Sequence, residues 1–149
     1  MGIKIITRNK RASFDYQLLE KFEAGISLVG TEVKVLRLGK ASINEANVAI
    51  DAQGEAWVFN MNIPHYEFGN VNNHEEARKR KLLLHKKEIA ELFDGVKTQG
   101  MTIIPTSLYF KEGNVKLEIA LAKGKKLHDK RQDQAKKDVQ RKLQRGEYQ

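Results

Sequence analysis

Between Val115 and Leu121 the chain keeps a two-residue period. Val115, Leu117, Ile119 and Leu121 are apolar, with Lys116, Glu118 and Ala120 between them. Such a segment buries one face only, which is the pattern of a strand and not of a helix. Glu112-Gly113-Asn114 has hairpin-turn chemistry, and Met101 to Phe110 supplies the partner strand. Pro105 has no backbone donor and predicts an edge or a bulge there. The same period places Phe22, Ala24, Ile26 and Leu28 opposite Glu23, Gly25 and Ser27, a strand to about Val29. It also predicts a strand over Phe14, Tyr16 and Leu18, another at Val48 and Ile50, and a fourth from Ala56 to Met61 beyond the Gln53-Gly54 turn.

Two segments have the longer period of a helix. Thr31 can cap one that runs to Leu38, and Gly39 can close it. Val33 and Leu36 share one face of it, and Lys34 and Arg37 another. In the second, Ile89, Leu92, Phe93 and Val96 form one stripe that predicts a core face, and Gly100 is the stop. The capping-box spacing of Ser42 and Glu45 predicts a single helical turn. Met1 to Arg11 is polar and basic and is expected to fray. His65 to Lys81 reads as a long irregular loop with turn-formers at Gly69-Asn70 and Asn72-Asn73. Six short strands with two or three helices predict a mostly β fold, an OB-type antiparallel barrel with peripheral helices. A split α+β sandwich is the rival.

Charge divides the chain in two. Residues 1–122 carry 17 Lys/Arg against 15 Asp/Glu, whereas residues 123–149 carry 10 against 4. The expected organisation is a barrel over 1–122 and a basic tail over 123–149. Within the tail Ala135, Val139 and Leu143 fall four residues apart, a stripe too thin to hold a lone helix in water. The tail is therefore expected to be disordered when free and helical on a polyanion. A basic tail on a near-neutral domain points to nucleic acid or an anionic membrane. The only aromatic residue in the tail is Tyr148, which favours nucleic acid.

Catalytic classes find little support. The chain has no cysteine, so disulfides and thiolate metal sites are excluded and a cytosolic location is the natural reading. No apolar run is long enough to span a bilayer, and Met1 to Lys10 lacks the apolar core of a signal peptide. His65, His74, His85 and His128 have no metal-ligand spacing. Neither a GxSxG nucleophile nor a Walker A loop occurs. A nucleic-acid surface is better founded. Arg78 to Lys87, RKRKLLLHKK, sets cations around Leu83 and His85, which suits phosphate neutralisation combined with stacking. Glu23 would repel phosphate, and on such a surface it makes sense as an acceptor from base amino or sugar hydroxyl groups. The plain alternatives are a solvated strand residue for Glu23, core for Leu83 and a solubilising charge run for the tail.

Several motifs occur together and in order. They are FEAG, GTEVK and LR-GKA within Phe22 to Ala41, Gly69-Asn70 with Asn73-His74, RKLLLHK-EI over Arg80 to Ile89, and AKGKK-HDKR over Ala122 to Arg131. With these the chain resembles the SsrA-binding (small protein B) family, the bacterial partners of transfer-messenger RNA. The resemblance implies an OB-type barrel that binds the tRNA-like domain of that RNA and delivers it to stalled ribosomes, while the tail enters the empty mRNA channel as a helix. It implies RNA contacts at Glu23, Leu83 and His85, with Gly124 keeping the barrel–tail junction tight. The neighbouring cations Lys34, Arg37, Arg78, Arg80 and Lys81 are the expected phosphate contacts. His128 would stack in the decoding centre, with Lys125, Lys126, Asp129, Lys130 and Arg131 around it and Lys136, Lys137, Arg141 and Lys142 along the channel. The implied protein is a monomeric, non-enzymatic adaptor that needs no cofactor, metal or membrane. A structural ribosomal protein with an OB barrel is the alternative.

Overall fold

The computed structural model describes residues 2–68 and 73–124. The turn-formers at Gly69, Asn70 and Asn72, and the tail residues from Lys125 onward, lie outside the described residues. Among the described residues seven strands and three helices follow in chain order: β1 (Ile3–Arg8), α1 (Ala12–Asp15), β2 (Tyr16–Ile26), α2 (Gly30–Arg37), β3 (Asn47–Ile50), β4 (Ala56–Phe59), β5 (Arg80–Leu83), α3 (Lys86–Gln99), β6 (Thr102–Lys111) and β7 (Asn114–Gly124). All pairings are antiparallel. The sheet runs β1-β6-β3-β4-β5-β2-β7, and a β6–β7 pairing closes six of the strands into a ring. The expected small antiparallel barrel is thus the fold, with the split sandwich set aside.

The β6–β7 hairpin is as predicted. Glu112 and Gly113 take positive φ at its tip, +52° and +82°, the paired left-handed residues that let a tight turn follow the twist of its strands. The register shifts between Pro105 and Ser107, so the proline is accommodated at a bulge. The inward residues of β2 and β7, Phe22, Ala24, Ile26, Leu117, Ile119 and Leu121, join one core with Val35, Leu36, Ile43, Val58 and Leu92.

Several segments differ from the sequence expectation. Residues 3–8, expected to fray, form β1 along the half of β6 that β3 leaves unpaired; Ile6 packs on the core, and partner-strand hydrogen bonds supply order that local composition does not. The two strands expected over Phe14–Leu18 and Phe22–Val29 are one strand, β2, which crosses its break through a bulge between Leu18 and Glu20. Phe14 belongs to α1. The single turn expected at Ser42–Glu45 is a hydrogen-bonded turn and not a helix, with the Ala46 N–H donating to the Ile43 carbonyl at 3.1 Å, and Ser42 does not cap it but bridges through its backbone to Asn62. Helix α2 begins at Gly30, before Thr31 could cap it; Glu32 Oε1 accepts from the Val29 N–H at 2.9 Å in place of a cap. Arg80 to Leu83, read as loop and basic segment, is the strand β5 between β4 and β2.

Helix α3 also sits differently. A Cβ on Gly95 would stand 2.8 Å from Leu121 Cδ2 on β7, so the helix lies against the Leu121 side chain at a distance that a larger residue would meet only by pushing that side chain aside. The contact line therefore runs through Leu92 and Gly95. Phe93 and Val96, expected in the core, remain 48% and 38% exposed.

Candidate nucleic-acid interface

Strand register decides which of the expected RNA-contacting residues meet. Gly25 of β2 pairs with Leu83 of β5. A Cβ on Gly25 would be 3.2 Å from Leu83 Cβ, so the leucine lies over the bare glycine. Glu23 is two residues before Gly25 and therefore on the same outer face. Leu83 is 56% exposed, and exposed His85 follows two residues later as the N-cap of α3, its N–H held by Glu88 Oε1 at 3.0 Å. Glu23, Leu83 and the start of α3 thus border one outer patch.

Glu23 is not a lone solvated charge. Tyr109 Oη donates to Glu23 Oε2 at 2.6 Å, and Lys111 Nζ lies 3.3 Å from Oε1. The Tyr109 hydrogen bond, with help from Lys111 and Lys116, holds the Glu23 carboxyl below the usual carboxylate range. Burial and the same carboxylate push the Tyr109 hydroxyl well up, so it stays a donor. The carboxylate keeps lone pairs for a further donor, at a fixed orientation.

The basic segment splits by the alternation of β5. Arg80 and Leu82 point inward and Lys81 and Leu83 outward. Arg80 is fully buried, so this expected phosphate contact is a structural cation: it pairs with Glu32 at 2.5 Å and donates to the Met61 carbonyl at 2.7 Å and the Glu76 carbonyl at 3.1 Å. Arg78 holds the other side of Glu32, Nη2 to Oε1 at 2.6 Å and Nε to Oε2 at 3.1 Å. Burial alone would raise the Glu32 carboxyl; the bonds from Arg78, the Val29 N–H and Arg80 outweigh it and keep the group below its usual range. Burial lowers Arg80, and Glu32 offsets part of that.

Around this cluster the long loop is tied down. His74 Nε2 donates to the Ile63 carbonyl at 2.8 Å, and Nδ1 shares a 2.8 Å hydrogen bond with the Thr31 hydroxyl. Asn73 bridges the Tyr66 N–H and carbonyl at 3.1 and 2.6 Å. Lys34 and Arg37 are exposed on α2, and Lys34 Nζ lies 5.3 Å from the centre of the Tyr66 ring. Lys81 shares its charge with Glu55 at 3.2 Å. Gly124, the last described residue, closes β7 opposite Tyr16.

The model of the SmpB protein family matches residues 6–148. The chain belongs to the SmpB family. Its similarity to curated relatives spans nearly full length: it is 55% identical over 141 residues to the SsrA-binding protein of Geotalea uraniireducens, covering 95% of this chain and 93% of the relative. It is 54% identical to the SsrA-binding protein of Pelobacter propionicus, over 96% and 93%, and 53% identical to that of Saccharopolyspora erythraea, over 97% and 91%. A chain in a solved structure described as "tmRNA-SmpB: a journey to the center of the bacterial ribosome" matches with a TM-score of 0.68 and 44% identity, over 81% of this chain and 85% of that one.

Sequence reasoning overlooked Glu32, Tyr109 and Lys111. The signal for Glu32 was the alternation of Arg80, Leu82 and Leu84, which puts an arginine on an apolar face where only a buried anion can satisfy it. Nothing local marks Tyr109 or Lys111, which reach Glu23 from a strand more than eighty residues away.

Proposed function

We propose that this chain is the RNA-binding adaptor of trans-translation: it binds the tRNA-like domain of transfer-messenger RNA and brings it to ribosomes stalled on message without a stop codon. It works in the cytoplasm and catalyses no reaction. The observation that carries this reading is the Gly25–Leu83 pairing, which sets an oriented carboxylate, an exposed leucine and the His85 cap along one face in a member of the SmpB family. Glu23 accepts from base or sugar groups, Leu83 packs against a base or ribose, and His85 adds a ring contact. Lys34, Arg37, Arg78 and Lys81 supply attraction to phosphate, Arg78 and Lys81 with their charge partly shared.

The tail does a separate job. Gly124 ends the last strand, and Lys125, Lys126, His128, Asp129, Lys130 and Arg131 engage the decoding centre. Lys136, Lys137, Arg141 and Lys142 neutralise ribosomal RNA along the vacant channel while Val139 and Leu143 pack. A chain ending after Arg131 should bind the tRNA-like domain within a few-fold of the parent and fail to tag peptides on stalled ribosomes. Recovery of stoichiometric ribosomal protein and RNA, with no single small RNA enriched, would instead mark a structural ribosomal component.

A further inference from the structure

Three of the four cations from Arg78 to Lys81 have a carboxylate partner. Arg78 and Arg80 hold Glu32, and Lys81 lies 3.2 Å from Glu55. Lys79 is exposed, and among the described residues no carboxylate lies within ion-pair distance of it. Its ammonium stands instead 4.7 Å from the centre of the Trp57 ring, held by the attraction of a cation to the ring face.

The ring is itself fixed. Trp57 Nε1 donates to Asp51 Oδ2 at 2.9 Å. The other oxygen of Asp51 accepts from the Gln53 N–H at 3.0 Å and the Glu55 N–H at 2.9 Å, so the β3–β4 turn anchors the indole. The Glu55 amide, the indole and the Gln53 amide hold the Asp51 carboxyl below its usual range, and the Lys79 charge contributes less than any of these bonds. Asp51 is thus committed to N–H donors and serves the ring more than the lysine.

Strand register puts this pair beside the patch that faces RNA. Trp57 of β4 pairs with Lys81 of β5, and directly paired residues of neighbouring strands share a face. Leu83 lies two residues beyond Lys81 on that same face, about 7 Å along the strand. Lys79 reaches the face too, as its contact with Trp57 shows. A continuous strip therefore runs from Glu23 and Leu83 through Lys81 to Trp57 and Lys79.

We propose that Lys79, held over Trp57, takes a backbone phosphate of the RNA strand that meets Leu83, which extends the interface across β5 to β4. Lys79 has no ion pair to share its charge with, so it neutralises a phosphate more fully than Lys81 or Arg78 does. Its side chain is already held in place, so it loses less rotamer freedom on binding than a free lysine. Trp57 acts through Lys79 and is a positioning residue. This site rests on the reading of the chain as an RNA adaptor, and the experiment separates the two.

Trp57 is the only tryptophan of the chain, so its emission reports on this place alone. The probe is the isolated tRNA-like domain, titrated against the full-length protein. Saturating RNA covers the indole and should lower its quenching by acrylamide several-fold. Lys79→Gln should flatten the log–log slope of affinity against salt by about 0.7–0.9, one whole contact. Trp57→Leu keeps every charge, so it should weaken binding several-fold with the slope unaltered. Trp57→Phe keeps a ring face and should restore most of the affinity. Unchanged unfolding midpoints check the variants, and Lys79→Gln, at an exposed position, carries the test by itself. A parent-like slope in Lys79→Gln, beside a flattened one in Lys34→Ala, would overturn this site and leave the adaptor reading standing. Acrylamide quenching that saturating RNA leaves unchanged would do the same. Parent-level binding by Trp57→Leu would overturn the positioning by the ring. Failure of the parent to bind the tRNA-like domain at any salt would overturn the adaptor reading and this site with it.

Discussion

Glu32 and Arg80 meet at 2.5 Å with both side chains wholly buried. The pair joins the start of α2 to β5, and through the Met61 and Glu76 carbonyls to the long loop. The two partners are not equivalent. Without Arg80, Glu32 keeps Arg78 and the Val29 N–H. Without the Glu32 charge, Arg80 is a buried cation facing only carbonyls. Breaking a buried pair costs about 3–5 kcal/mol. Arg80→Met should fall at the low end of that range and Glu32→Gln at the high end, measured by urea unfolding. The reverse order would mean that Arg78 does not hold the Glu32 charge on its own and that Arg80 is its main counter-ion.

Acid should act through the same carboxylate. The Glu32 carboxyl lies below its ordinary 4.5 in the folded chain. A depressed folded value gives stability that is present above the unfolded pKa and lost as pH falls through the folded one. The parent should therefore lose stability below about pH 4.5 more steeply than Glu32→Gln does. Parallel pH profiles of the two midpoints would refute the assignment.

Glu23 makes a prediction whose sign separates two accounts. Glu23→Gln keeps the size and an acceptor for Tyr109 but removes a negative charge from an RNA-facing surface. Plain electrostatics has it bind RNA more tightly. Readout of base or sugar donors by an oriented carboxylate has it bind several-fold more weakly, because hydrogen bonds to a charged acceptor are the stronger kind. Tighter binding by a fully folded variant would reduce Glu23 to a partner of Lys111.

Salt titration counts the phosphate contacts. With about five contacts, the log–log slope of affinity against salt should be roughly −3.5 to −4.5. Lys34→Ala and Arg37→Ala should each flatten it by about 0.7–0.9. Lys81→Ala should flatten it less, since Glu55 already shares that charge. A conservative change at Arg80 that preserves folding should leave the slope unaltered.

Much of the molecule was legible in the residue order. Period-two patterns and turn residues marked β3, β4, β6 and β7, the left-handed glycines ended both longer helices, and the motif run from FEAG to HDKR carried the family. These are local signals, written within a few residues of each other. Tertiary structure decided the rest. The order in 3–8 comes from β6, a partner a hundred residues away. Arg80 reads as one more cation in RKRK until β5 is seen to sit inside the ring, where alternation turns it inward onto Glu32. Phe93 and Val96 read as core because their period is helical, and only the close contact at Gly95 shows which side of α3 the barrel takes. Period fixes which residues share a face; which face meets another element, and which charge finds its counter-ion, depends on pairings that only the folded chain makes.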